Sequence, residues 1–266
     1  MALQYKEYGD QNAPLLLFLH GGGVSGWMWD NQIPYFSHYH SIVPDLPGHG
    51  GSDEVTPFSI QDSAQGLIEL IEDKAAGKPA GCKVILNGFS LGAQVIIQIL
   101  SQRPNLVTAA IINSALVRPS ELMRKFIRPT VRLSYPLIRN RRFSKLQAKT
   151  LYIEEANFQR YYEESCQMKL DTLVRVLEEN MSFQIPAGFR EARGKLLVTV
   201  GAKEKAMMKK SAKDLVKANS NCTGVIIPEM GHGVPLVMPD FFNDLVERWI
   251  QEGTLPKACK VIRLND

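Results

Sequence analysis

No run of about eighteen apolar residues occurs in this 266-residue chain, so no membrane-spanning helix is expected. The four cysteines, Cys82, Cys166, Cys222 and Cys259, form no CxxC pair. Scattered thiols in a chain of this size argue against a disulfide framework and for a reducing compartment. Met1 to Asp10 lacks the basic segment and apolar run of a secretory leader. A cytoplasmic protein is therefore expected. Internal repeats and low-complexity segments are missing too. What is present is ordinary globular composition, 45% apolar and 22% charged with a net charge of +4. The length suits one sheet-centred core carrying an insertion.

The charge is unevenly placed. Arg118 to Lys149 holds ten Lys/Arg against one acid, Glu121, whereas Glu154 to Glu179 holds seven acids against three bases. A basic stretch of this kind can attract an anionic substrate, a membrane surface or nucleic acid. The favoured reading is two oppositely charged helical halves facing each other and the solvent, because the charges nearly balance within one segment. Nucleic acid fits least, since no base-stacking aromatics are interleaved with the cations.

Leu15 to His20 (LLLFLH) is a short apolar run ending in glycines, as expected of a strand buried on both faces. Similar runs recur at Lys83 to Asn87, Ala109 to Asn113, Lys195 to Val200 and Thr223 to Ile227, with a shorter one at Ser41 to Val43. Between them lie helical patterns. Phe58 to Lys74 gathers Ile60, Ala64, Leu67, Ile68 and Ile71 on one face, and the last pattern aligns Phe241, Leu245 and Trp249 beside Phe242, Val246 and Ile250. The alternation predicts an α/β fold, a mostly parallel sheet with helices on both faces. It breaks between Leu116 and Gly188, where the spacing is helical throughout. Pro119, Pro129, Pro136 and Pro186 punctuate that region, so several short helices are expected there. The division that follows is a core from residues 1–115 and 189–266, with residues 116–188 as a helical cap over the strands' C-terminal edge.

Asn87 to Gly92 (NGFSLG) contains GxSxG, directly after one apolar strand and at the start of the apolar pattern Leu91 to Leu100. A serine between strand and helix sits on a strained turn, with glycines where side chains would clash, and its Oγ is raised above the sheet edge. Ser90 is thus the candidate nucleophile. A serine hydroxyl needs a base. Among the five histidines, His232 in EMGHG follows a strand at the same edge as Ser90. His20 and His49 lie in glycine-flanked turns and suit loop bracing, and His38 and His40 read as surface residues. The base needs an acceptor that fixes its tautomer, and Glu204 stands in the loop just past the strand KLLVTV. Flanking Lys203 and Lys205 leave a plain surface ion pair as the alternative. For the oxyanion, one donor would be Leu91 N–H and the other would come from His20 to Gly23.

These segments resemble the α/β-hydrolase superfamily over nearly the whole chain. LLLFLHGGG is similar to its oxyanion segment, Asp45-Leu46-Pro47-Gly48-His49-Gly50 with Ser52 to its DxPGHGxS turn, NGFSLG to its nucleophile elbow and PEMGHG to its histidine loop. The resemblance implies an eight-stranded-type sheet, a helical cap after the sixth strand, and neither cofactor nor metal. It also implies Gly22 as the first oxyanion donor and structural roles for Asp45 and His49. The order Ser, acid, His is the one expected of such enzymes. Glu204 departs from the pattern, because members with this glycine turn after the seventh strand usually carry Asp there. The alternative acid position, after the sixth strand, falls near Asn113. The activity implied is hydrolysis of a small-molecule acyl substrate through an acyl-enzyme. Carboxylic esters lead, with thioesters, lactones and vinylogous C–C bonds as alternatives. A triad-bearing receptor with little turnover is a further alternative, and the oligomeric state is unreadable.

Overall fold

Each of the six apolar runs forms a strand in the computed structural model, which describes residues 3–55 and 57–263. In chain order the main elements begin β1 (Tyr5–Tyr8), β2 (Leu15–Leu19), β3 (His40–Pro44), α1 (Ile60–Ala76), β4 (Val84–Phe89), α2 (Leu91–Gln102) and β5 (Ala109–Asn113). Helices α3 (Glu121–Ser134), α4 (Arg141–Thr150), α5 (Glu155–Gln167) and α6 (Leu170–Ser182) follow. The chain closes with β6 (Lys195–Gly201), α7 (Ala206–Ala218), β7 (Cys222–Ile227), α8 (Val234–Val237), α9 (Pro239–Glu252) and β8 (Lys260–Val261).

The sheet order is β1-β3-β2-β4-β5-β6-β7-β8. Strands β2 to β7 pair parallel with their neighbours, and only the edge strands β1 and β8 run antiparallel. The inner strands are apolar at consecutive positions because both faces are covered. Leu15, Leu17 and Leu19 of β2 enter one core with α1 and α2, while Leu16 and Phe18 enter the other with Trp29 and α9. The edges were not visible as apolar runs: β1 reads YKEY and is half-exposed, and β8 has two exposed residues.

Helices alone fill the stretch between β5 and β6, as the spacing predicts. This stretch follows the fifth strand and not the sixth, and Glu204 follows β6 and not a seventh strand, because a single strand precedes β2 among the described residues. Pro119, Pro136 and Pro186 fall at element ends or in 3-10 turns, but Pro129 lies inside α3 without ending it. Its exposed position explains the tolerance, since the carbonyl it leaves unbonded can face water. Charge contacts join the two halves as Arg128 reaches Asp171 (3.6 Å) and Glu178 (3.7 Å), and Lys145 reaches Glu155 (2.7 Å).

Candidate active site

Ser90 occupies the step from β4 into α2 with φ 53° and ψ −109°. A side chain other than glycine held there costs of order 1–3 kcal/mol and needs surroundings that impose it. They do. The Ser90 N–H donates to the Asn113 carbonyl at 2.8 Å, and nine residues of α2 are buried. The motif glycines are steric requirements. A methyl group at Gly88 would lie 2.6 Å from Ile96 Cδ1 and 2.8 Å from the Gly92 carbonyl, and one at Gly92 would strike the Leu19 carbonyl oxygen.

The loop after β7 brings His232 Nε2 to 3.1 Å from Ser90 Oγ, and the turn after β6 brings Glu204 Oε2 to 2.8 Å from His232 Nδ1. Glu204 is buried, with Oε1 accepting from the Ser114 hydroxyl (2.7 Å) and the Gly201 N–H (2.8 Å). Burial pushes its carboxyl up, but the hydrogen bond and charge of His232, with the Gly201 and Ser114 donors, hold it below the ordinary value. Ionised, it can only accept, so His232 carries its proton on Nδ1 and turns the Nε2 lone pair to the serine. Lys203, read as a competitor for Glu204, pairs with Glu229 at 2.9 Å instead. Asn113 is not part of this series: its Nδ2 donates to Thr199 Oγ1 at 2.7 Å, its Oδ1 meets no hydrogen-bonding group among the described residues, and His232 Nδ1 is taken by Glu204.

Gly22 and Leu91 are neighbours. A methyl group at Gly22 would lie 3.6 Å from Leu91 Cδ2 and 3.5 Å from Val176 Cγ1. Leu91 opens α2, so its N–H has no partner within the helix. Both residues and Ser90 line a cavity of about 350 Å³ whose far wall comes from α3 to α6, including Val131, Leu151, Leu173 and Val176. Among the described residues its lining includes Asp53 and Glu164 but no lysine or arginine. No cluster of three or more His, Cys, Asp or Glu is placed to hold a metal ion among the described residues.

His20 and His49 brace loops. His20 Nε2 accepts from Leu46 N–H at 2.8 Å and its Nδ1 donates to the Gly21 carbonyl at 2.8 Å, tying the glycine run to the Asp45 turn. Burial drives both imidazoles down, His49 to about 3. Asp45 holds the same turn through Gly26 N–H and Gly51 N–H, each at 2.8 Å. His38 is exposed, as expected. His40 is not: it lies inside β3, buried, with Nε2 2.6 Å from Glu7 Oε1, because the strand begins one residue earlier than the apolar run suggests.

Three residues near the site carry no sequence motif. Ser114 donates to Glu204 from a backbone with φ 55°. Tyr152, between α4 and α5, lies so close over Gly231 and Gly233 that a methyl group on Gly233 would be 2.5 Å from its ring, which explains the two glycines around His232. Glu164 of α5 accepts from Ser25 Oγ and Trp27 Nε1, both at 2.8 Å, and so fastens the helical stretch to the loop that carries Gly22. Burial pushes the Glu164 carboxyl up, against those two hydrogen bonds and the Arg160 charge. In the sequence Glu164 is one acid of an acid-rich run, and nothing there points to partners 137 and 139 positions away.

The family model described as the alpha/beta hydrolase family matches residues 16–245. An AB hydrolase superfamily protein of Gibberella zeae is 33% identical over 111 residues, which span 41% of this chain and only 38% of that protein's length. An (E)-2-((N-methylformamido)methylene)succinate hydrolase of Acinetobacter baylyi is 26% identical over 262 residues and 93% of each chain. Among solved structures, the enol-lactonase of Burkholderia xenovorans superposes with a TM-score of 0.77 at 16% identity, covering 94% of this chain and 96% of that one. At that identity the likeness is one of fold.

Proposed function

This chain belongs to the alpha/beta hydrolase family, and on that premise we propose that it is a serine hydrolase transferring the acyl group of an uncharged carboxylic ester to water. Ser90 is the nucleophile, His232 the base and Glu204 the acid behind it. His232 Nε2 takes the Ser90 proton as Oγ bonds to the carbonyl carbon, and the carbonyl electrons move onto oxygen. The Gly22 and Leu91 N–H groups hold that oxyanion. Collapse of the adduct expels the alcohol, which receives the proton from His232. A water molecule then gives its proton to His232, attacks the acyl carbon, and the acid leaves as Ser90 recovers its hydrogen.

The observation that carries this reading is the unbroken series Ser90 Oγ, His232, Glu204 at 3.1 and 2.8 Å, opening onto a cavity. Residues 116–188 serve as the cap that shapes this cavity. Its apolar wall and the carboxylates at Asp53 and Glu164 favour a neutral, apolar acyl group. The Acinetobacter relative is named for a succinate derivative; a dianion of that kind would meet no cation here among the described residues. Four free cysteines support a reducing, cytoplasmic setting.

Ser90→Ala should lower kcat/KM on p-nitrophenyl hexanoate by at least about ten-thousandfold and abolish labelling by a fluorophosphonate. Undiminished labelling of the variant removes Ser90 from the mechanism. The wild type should prefer the hexanoate over the p-nitrophenyl hemisuccinate by about tenfold or more, for want of a cation to meet the second carboxylate. Labelling of Ser90 without turnover on any ester would favour the receptor reading instead.

A further inference from the structure

Helices α3 and α4 each carry exposed apolar side chains. Leu122, Phe126 and Leu133 of α3 are 69%, 60% and 83% exposed, and Leu146 of α4 is 65% exposed. At about 100° per residue, Leu122, Phe126, Pro129 and Leu133 fall within one stripe about 60° wide. Ile127 and Val131 lie on the opposite side of the helix, where Val131 helps form the cavity wall. Lys125 and Arg132 lie along one border of the stripe. On α4 the same arithmetic sets Arg142, Leu146 and Lys149 on the exposed side, opposite buried Ser144 and Ala148.

These cations differ from their neighbours. Arg124, Arg128 and Lys145 are engaged with Glu121, Asp171, Glu178 and Glu155. Among the described residues, Lys125, Arg132, Arg139, Arg142 and Lys149 have no carboxylate within 4 Å and are exposed. The basic run thus divides into a share with carboxylate partners, Arg128 and Lys145 in the acidic half and Arg124 within its own helix, and a share left on the outer surface beside exposed leucines.

We propose that this outer face of α3 and α4 docks on the surface of an anionic phospholipid bilayer. Aliphatic and phenyl groups on one stripe can enter the acyl boundary while the long Lys and Arg stems hold their charges among lipid phosphates. An acidic nucleic acid would need stacking rings, and Phe126 is the single aromatic of the stripe. Leu151, at the end of α4, is both exposed and part of the cavity wall, so the docked face adjoins the cavity. No helix is long and apolar enough to cross a membrane among the described residues, and the contact is peripheral.

Co-sedimentation of the full chain with phosphatidylglycerol–phosphatidylcholine vesicles, against phosphatidylcholine alone, tests this without reference to catalysis. At about 0.1 M salt, where charges act over about 10 Å, the protein should partition onto the anionic vesicles and be released by about 1 M salt. The triple variant Lys125→Glu, Arg132→Glu, Arg142→Glu should lower the partition constant on the order of a hundredfold or more. The pair Phe126→Ser, Leu133→Ser should weaken binding at every salt concentration. All five side chains are exposed, so thermal midpoints should stay at the wild-type value; if the charge variant unfolds, Lys125→Gln with Arg132→Gln makes its comparison, and if the apolar pair unfolds, Leu133→Ala makes the other. Failure of the wild type to partition, or equal partition of wild type and variants, overturns the proposal. So does a wild-type dimer that Phe126→Ser, Leu133→Ser converts to monomer, because a second copy would then own the face.

Discussion

Glu204 has one methylene more than the aspartate its family pattern favours, and the surroundings absorb it. Oε1 folds back to Gly201 N–H in its own turn and takes the Ser114 hydroxyl, which leaves Oε2 aimed at His232. Glu204→Gln would keep the shape but present an amide that can donate to Nδ1, favouring the wrong imidazole tautomer. Its kcat should fall on the order of ten-thousandfold with little change in KM. Ser114→Ala removes one of the bonds that lower the Glu204 carboxyl, so that carboxyl should titrate at a higher pH. A carbon-13 NMR titration of that carboxyl should show the move upward, while kcat/KM at neutral pH falls by less than about tenfold. An unmoved carboxyl titration would leave Ser114 a merely structural neighbour. The three residues that meet here were readable because each follows an apolar strand at one sheet edge. Ser114 and Tyr152 were not, because left-handed backbone at φ 55° and φ 61° leaves no trace in residue type when the residue is not glycine.

At the scale of elements, identical glycines do opposite things. Gly92 holds α2 against the end of β2, where a methyl group would meet the Leu19 and His20 carbonyls. Gly92→Ala should destabilise the protein near the upper end of the ~1–3 kcal/mol typical of overpacking, a drop of about 6–12 °C in thermal midpoint. At Gly22 a methyl group finds ordinary contacts of 3.5 Å or more, but it would stand in the cavity beside Leu91. Gly22→Ala should therefore melt within about 2 °C of wild type and, if Gly22 N–H holds the oxyanion as proposed, lose activity by crowding it. Calorimetry with ester turnover separates the two, and a Gly92→Ala protein as stable as wild type would refute the close-approach argument. A glycine's purpose was not legible from sequence, only its presence. Inner strands were legible as unbroken apolar runs because two cores cover them; β1 and β8 were not, because an edge strand with one open side can be polar and short.

Over the whole molecule, the response to acid depends on the two imidazoles locked under the sheet's C-terminal edge. His20 and His49 are both buried, their rings 5.1 Å apart, and His49 Nε2 meets no hydrogen-bonding group among the described residues. Burial, reinforced by His20, lowers His49 from 6.5 to about 3, and burial lowers His20 as well. The unfolded chain therefore binds protons that the native protein refuses. Stability from these residues is complete above pH 6.5 and is lost as the pH falls from there, for His49 down to about 3, at about 1.4 kcal/mol per pH unit for each proton. Glu204, with its lowered carboxyl, acts in a lower window, since its contribution is intact above 4.5 and fades only below it. Urea unfolding between pH 7 and 5 thus sees the histidines without that carboxylate. His49 alone should remove about 2 kcal/mol by pH 5. His49→Asn should be less stable at pH 7 yet lose less on acidification, because Asn takes up no proton in the unfolded chain. An equally steep pH dependence in that variant would mean that His49 is not held neutral in the native state.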